Sequence, residues 1–198
     1  MKVKICGLCR PDDVRFVNAA RPDYCGFVID VPSSRRNVSP GTLRALRAGL
    51  AAGITPVGVF VDAPVELVAR LLGEGIIGAA QLHGREDAAY IAALRARTRQ
   101  PIWQAIQMRA PADVERANRS LADLVLLDAG AGGGTTFDWA LLSGVTRPFA
   151  LAGGLHTGNL AQAMRTGAVL LDVSSGAETD GKKDFHKIQS IVQTIKGE

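Results

Sequence analysis

Short apolar runs with the look of β-strands begin near Val3, Cys25, Pro56, Ile77, Pro101, Asp123, Pro148 and Val169, at intervals of 21 to 31 residues. Each run has strand length and leads through a turn residue into a stretch whose apolar positions recur with helical spacing. A chain that repeats strand, turn and helix eight times has few folds open to it. Strands alternating with helices form a parallel sheet. Eight units in 198 residues leave about 25 residues each, close to the minimum for a strand, a helix and two connections. The even spacing, and a first crossover without GxGxxG, favour closure into a barrel over an open doubly wound sheet. The expectation is an α/β chain, a single-domain (β/α)8 TIM barrel over residues 1–198 with short loops.

Helix starts are marked in several units. Pro11-Asp12-Asp13 precedes Val14 and Val17, and Ser39-Pro40 precedes Leu43, Leu46 and Leu50. Asp62-Ala63-Pro64 precedes Val68 and Leu71, and Asp184 precedes Ile188, Val192 and Ile195. Cap-type or acidic residues, often with proline in the first turn, satisfy the free N–H groups of an amphipathic helix laid on a sheet. The second unit is the longest because of residues 30–39, which read as a true loop.

Composition narrows the function classes. Apolar types make up 47% and charged types 21%, which excludes a disordered or low-complexity chain. The net charge is +4, but the basic residues are scattered, with Arg35-Arg36 and Lys182-Lys183 the densest pairs. The aromatics do not interleave with them, so a small anionic substrate explains the charge better than a nucleic acid. The longest stretch without Asp, Glu, Lys or Arg, Pro148 to Met164, carries Gly153-Gly154, His156, Asn159 and Gln162 and cannot read as a membrane span. The first residues become charged before a signal-peptide core could form. Three cysteines, Cys6, Cys9 and Cys25, are an odd count in a chain too large to need disulfides, which points to a reducing cytoplasm.

In a barrel of this kind chemistry sits where the strands end. The expected tips are Cys6-Gly7, the loop holding Arg35-Arg36, Asp62, Gln81 to Gly84, Gln104 and Gln107, Asp128, Gly153-Gly154 and Ser174-Ser175-Gly176. The last two follow the seventh and eighth strands, where barrels often bind phosphate, and glycines let backbone N–H groups approach an anion. They could equally be tight turns.

Asp128 leaves a dry apolar strand, so its pKa could be raised and it could act as a general acid. It could also be a helix cap, or an acceptor for the glycine-rich loop 130–134. Cys6 shares parity with Lys4, so both should point into the barrel, with Lys4 one layer deeper. An ammonium there would favour a thiolate, although a small buried hydrophobe is the commoner fate of a cysteine and Lys4 could pair with a buried carboxylate instead. Cys6-Gly7-Leu8-Cys9 also has the spacing of a thiol redox pair, which would leave seven units unexplained. Arg35 or Arg36 could clamp a carboxylate or be a solvated pair. His83, His156 and His186 lie on different units without metal-ligand spacing, so no metal is expected. No lysine follows a strand, which disfavours a Schiff-base aldolase.

The runs Lys4-Ile5-Cys6-Gly7-Leu8, Ser34 to Pro40, Gln81-Leu82-His83-Gly84, Leu126-Leu127-Asp128, Phe137-Asp138-Trp139, Leu151 to Leu155 and Asp172 to Glu178 occur in one order along nearly the whole chain. Together they resemble the phosphoribosylanthranilate isomerase family. The resemblance implies the Amadori rearrangement of N-(5′-phosphoribosyl)anthranilate, the third step of tryptophan biosynthesis from anthranilate. It implies Cys6 as general base, Asp128 as general acid and Arg36 on the anthranilate carboxylate. It places His83 and Asp172 near the substrate, and makes Gly153, Gly154, Ser174, Ser175 and Gly176 the phosphate cradle. It implies no cofactor, a small phosphorylated substrate as partner, and a monomer or weak homodimer. Three positions depart from the family pattern: Cys9 replaces threonine, Arg35 replaces proline, and the loop Ala129 to Thr136 is one residue shorter.

Overall fold

A computed structural model, describing residues 1–130 and 136–197, shows the eight runs as parallel strands. They are β1 (Lys2–Cys6), β2 (Tyr24–Ile29), β3 (Thr55–Phe60), β4 (Ala79–Leu82), β5 (Ile102–Gln107), β6 (Leu124–Asp128), β7 (Phe149–Leu151) and β8 (Leu170–Val173). Each pairs with the next, and β1 pairs with both β2 and β8, so the sheet closes into the expected barrel. Outside it lie the helices α1 (Pro11–Ala20), α2 (Pro40–Ala48), α3 (Val65–Gly73), α4 (Ala88–Arg95), α5 (Pro111–Arg119), α6 (Leu160–Ala163) and α7 (Phe185–Lys196). No helix among the described residues is long and apolar enough to cross a membrane.

The strand alternation sorts side chains into two cores. Val3, Ile5, Phe27, Phe60, Leu82 and Ile102 face the helices in the larger cluster. Val57, Ala79, Trp103, Leu126, Ala150 and Leu170 fill the barrel itself. Lys4 and Cys6 fall on the inner parity, as expected. Lys4 is fully buried, and its Nζ donates to Asp172 Oδ1 at 3.0 Å and Oδ2 at 2.9 Å across the β1–β8 pairing. Gly26 on β2 makes room for this head group, since a Cβ there would stand 2.9 Å from Lys4 Nζ and 2.7 Å from Cys6 Sγ. Lys4→Met leaves Asp172 as a buried, unpaired carboxylate. It is expected to lower the unfolding free energy by about 3–5 kcal/mol, read from urea unfolding. Unchanged stability would show that the pair contributes nothing net.

The caps at Ser39 and Asp184 form as read: their side chains accept the N–H of Thr42 and of Lys187. At α1 the acceptor is Asp13, inside the first turn, which takes the N–H of Cys9 and Arg10. Asp62 caps nothing; it sits at φ +52° and binds Arg85, while Pro64 precedes α3. Two units depart from the simple repeat. The sixth has a 3-10 helix, Trp139–Gly144, and the seventh only the four-residue α6. The loop 30–39 contains a short strand, Asn37–Val38, added beside β2.

Two expected tips are not tips. Gln81 lies within β4, buried inside the barrel. Gln104 lies in the middle of β5 and faces the helices, with Nε2 donating to the Glu86 carbonyl and Oε1 accepting from Ser120.

Candidate active site

The C-terminal mouth of the barrel holds a cavity of about 210 Å³. Of the residues read from sequence, Cys6, Arg36, His83, Asp128, Gly153, Gly154, Asp172, Ser174 and Ser175 line it. Gly176 does not. It sits in the 3-10 turn Ser175–Ala177 packed on another loop, where a Cβ would come within 1.9 Å of the Leu155 carbonyl oxygen. Its glycine is explained by that close packing. Gly153, at φ +84°, has the same reason: a Cβ would stand 2.6 Å from the Ala129 nitrogen and 2.7 Å from Asp128 Oδ1. The β7 turn is thereby pressed against the Asp128 carboxylate.

Asp128 ends β6 and is held from two sides. Its Oδ1 accepts the Gly130 N–H at 3.0 Å, and its Oδ2 lies 3.4 Å from His83 Nε2. Gln81 Nε2 stands 3.1 Å from His83 Nδ1. The other ring nitrogen, Nε2, faces Asp128. Burial pushes the Asp128 carboxyl up, but His83 and the Gly130 N–H outweigh it and hold it below the usual carboxylate range. The raised value expected for a carboxylate leaving a dry strand is therefore corrected. The glycine-rich residues 131–134, read as possible partners of Asp128, and the shortened loop fall outside the described residues, apart from Ala129, Gly130 and Thr136.

Cys6 is 8% exposed, and Ser174 Oγ donates to its carbonyl oxygen. Burial pushes its thiol up; Lys4 pulls it down, Asp172 pushes the other way, and the net shift is upward. The expected lowering by Lys4 is present but outweighed, first by burial and then by the negative charge of Asp172. Cys6, Cys9 and Cys25 are free thiols. Cys9 packs against the helix-side core, not the cavity that Cys6 lines, so nothing in their placement favours the redox pair.

The arginine pair separates cleanly. Arg36 lines the cavity and its side chain is 15% exposed, whereas Arg35 is 59% exposed and lies outside it. Both bind Glu178, a residue that sequence reading gave no role. Burial pushes the Glu178 carboxyl up, but Arg36 and Lys183 outweigh it and hold it at about 2.

A second, larger concavity of about 840 Å³ runs between α4 and α5. Charged side chains of both signs line it, including Arg85, Glu86, Glu115, Arg116 and Arg119. It meets the barrel cavity at His83, Asp128 and Gly130, which line both. The barrel cavity is the better candidate site. It alone gathers a thiol, a carboxylate and a guanidinium with two polar turns, whereas the outer groove rests on helix surface. The arrangement suits a small molecule with an anionic group at each end and a proton to be moved between them.

Comparison with known proteins gives concordant results. The sequence model of the family described as "PRAI: N-(5'phosphoribosyl)anthranilate (PRA) isomerase" matches residues 3–194. The N-(5′-phosphoribosyl)anthranilate isomerase of Endomicrobium trichonymphae is 39% identical over 201 residues, covering 98% of this chain and 96% of the relative. The crystal structure of the phosphoribosyl anthranilate isomerase from Thermus thermophilus superposes with a TM-score of 0.88 at 32% identity, covering 100% of this chain and 99% of that one. Another isomerase structure, a complex with reduced 1-(o-carboxyphenylamino)-1-deoxyribulose 5-phosphate, superposes with a TM-score of 0.85 at 31% identity over the same shares of the two chains.

Proposed function

Because this chain belongs to the N-(5′-phosphoribosyl)anthranilate isomerase family, and so isomerises N-(5′-phosphoribosyl)anthranilate to 1-(2-carboxyphenylamino)-1-deoxyribulose 5-phosphate in tryptophan biosynthesis, we propose that Cys6 and Asp128 are its base and its acid. The observation that carries the assignment is that both side chains line one small cavity at the barrel mouth, with Arg36 and the glycine-serine turns around them.

Asp128 protonates the furanose ring oxygen as the C1′–O4′ bond breaks, and the anilino nitrogen lends its lone pair to form a C1′=N iminium. The Cys6 thiolate takes the C2′ proton. The electrons of that C–H bond form C1′=C2′, and the nitrogen recovers its pair. The resulting enol-amine becomes the C2′ ketone as C1′ gains a proton and the C2′ hydroxyl loses its own. The substrate's own nitrogen serves as the electron sink. General acid–base groups of this kind each contribute about 10² to 10⁴ in rate.

Arg36 takes the anthranilate carboxylate. Gly153, Gly154, Ser174 and Ser175 surround the phosphate, with Gly176 shaping that turn from behind. His83 and Asp172 act through their partners, Asp128 and Lys4. The whole chain, 1–198, acts as one catalytic domain. Its partner is this substrate rather than a nucleic acid or a membrane, in a cytoplasmic monomer or weak homodimer, a compartment read from the odd count of three cysteines.

The activity itself is read from the loss of substrate fluorescence on adding purified protein; a steady signal would refute it. Arg36→Met is expected to act chiefly on KM, raising it about 10- to 100-fold, the worth of charge-assisted hydrogen bonds to a carboxylate. An unchanged KM would remove Arg36 from the binding site.

A further inference from the structure

Arg36 is not free to choose its orientation. Its Nε donates to Glu178 Oε1 at 2.6 Å and its Nη2 to Glu178 Oε2 at 2.8 Å, a side-on bidentate pair. Glu178 is buried and is fixed in turn: Lys183 Nζ donates to Oε1 at 2.7 Å and Arg35 Nη2 to Oε2 at 2.6 Å. Lys183 also donates to the Ser174 carbonyl at 3.0 Å, which ties this group to the turn after β8. On the other side the Arg36 stem lies over Gly7, where a Cβ would stand 2.3 Å from Arg36 Cδ. The loop after β2 and the turn after β8 are thus joined through one carboxylate, 142 residues from the arginine it holds.

A guanidinium has five N–H donors. Glu178 takes the Nε proton and one Nη2 proton, leaving both Nη1 protons and the other Nη2 proton, the end-on edge, for a second carboxylate. The charge also allows it, since three cations surround one anion and the cluster stays positive toward an anionic guest.

We propose that Glu178 is the positioning residue that makes this site selective for a substrate carrying an aryl carboxylate, by fixing Arg36 with its end-on edge presented to the cavity. The proposal rests on the reading of Arg36 above. Without Glu178 the guanidinium keeps its charge but loses its orientation, so the loss falls on recognition of the carboxylate and not on grip of the sugar phosphate.

The test uses two stable competitive inhibitors, 1-(2-carboxyphenylamino)-1-deoxyribitol 5-phosphate and the same compound without the carboxyl group. Glu178→Gln is expected to weaken the carboxylated inhibitor by about 10-fold or more, the worth of one charge-assisted hydrogen bond, and to leave the other within about 2-fold. KM should rise more than kcat falls. Glu178→Asp, which keeps the charge on a shorter arm, should restore part of the preference. It also supplies the same readout should the glutamine variant not fold. Equal weakening of both inhibitors would make Glu178 merely structural, and no weakening of either would show that Arg36 holds its own orientation; each overturns the proposal. Arg36→Met separates the two readings. If it abolishes the carboxylate preference while Glu178→Gln does not, Arg36 keeps its role and Glu178 loses its own. If Arg36→Met leaves the preference intact, the Arg36 reading fails first.

Discussion

Cys6→Ala lowers kcat at least about 10²-fold, and as much as about 10⁴-fold, in a protein that remains folded. The size of the loss follows from what is removed. The thiol is the base that takes the C2′ proton in this reading, and the neighbouring charges are paired with each other: Lys4 Nζ donates to both oxygens of Asp172. The fold should survive because alanine keeps the backbone of β1 and deletes one atom where Gly26 already leaves space. Fluorescence decay of the substrate measures turnover, and near-ultraviolet circular dichroism checks packing. Near-normal turnover in a folded Cys6→Ala variant would remove Cys6 as the base.

Asp128→Asn is expected to cost a comparable factor, by the loss of the proton donor to the ring oxygen. Asparagine can still meet His83 and the Gly130 N–H partway, so geometry is nearly kept while acidity is lost. The shifted acidities add a second expectation. The resting protein holds Asp128 ionised and Cys6 as a thiol, because the carboxyl is held down and the thiol pushed up. The working pair needs one proton moved from the thiol to the carboxylate, with no proton gained or lost overall. The pair then titrates as a unit. Activity should stay level across neutral pH, falling only below the ordinary carboxylate range and above the ordinary thiol range. The Asp128→Asn variant should lose the alkaline limb, because only the thiolate then has to form, and its residual activity should rise with pH through the thiol range. A wild-type profile that already turns down between about pH 6 and pH 8 would point to groups other than these two and contradict this pairing.

The barrel was legible because its evidence is local. Strand period, turn residues and helix caps are written within a few residues of one another, and the inward parity of Lys4 and Cys6 follows from alternation alone. The misplaced tips have the same root. A polar residue in an apolar run reads as the end of the strand, yet Gln81 and Gln104 stay within their strands. Gln81 reaches His83 inside the barrel, and Gln104 is satisfied by Glu86 and Ser120 on the helix side. The sixth unit carries a cap, Asp138, whose side chain accepts the Ala140 N–H, yet the helix that follows it is 3-10.

Acidity was less legible than position. Asp128 was found at the rim, but its shift depends on His83, which arrives from β4. Glu178 left no signal of its own, because its partners Arg35 and Arg36 are distant in sequence and its meaning exists only once β2 and β8 flank β1. Lys183, near it in the chain, reads alone only as half of the basic pair Lys182-Lys183. The chemistry of single residues could thus be read in advance, whereas the pairings that tune them belong to the closed sheet.

The most direct measurement is the crystal structure of this protein with reduced 1-(2-carboxyphenylamino)-1-deoxyribulose 5-phosphate bound. The account predicts Asp128 within about 2.6–3.2 Å of the oxygen that was in the ring, Cys6 against C2′ on the same ligand, and the ligand's carboxylate on the end-on edge of Arg36. A ligand seated in the groove between α4 and α5, or one whose C2′ faces away from Cys6, would contradict it.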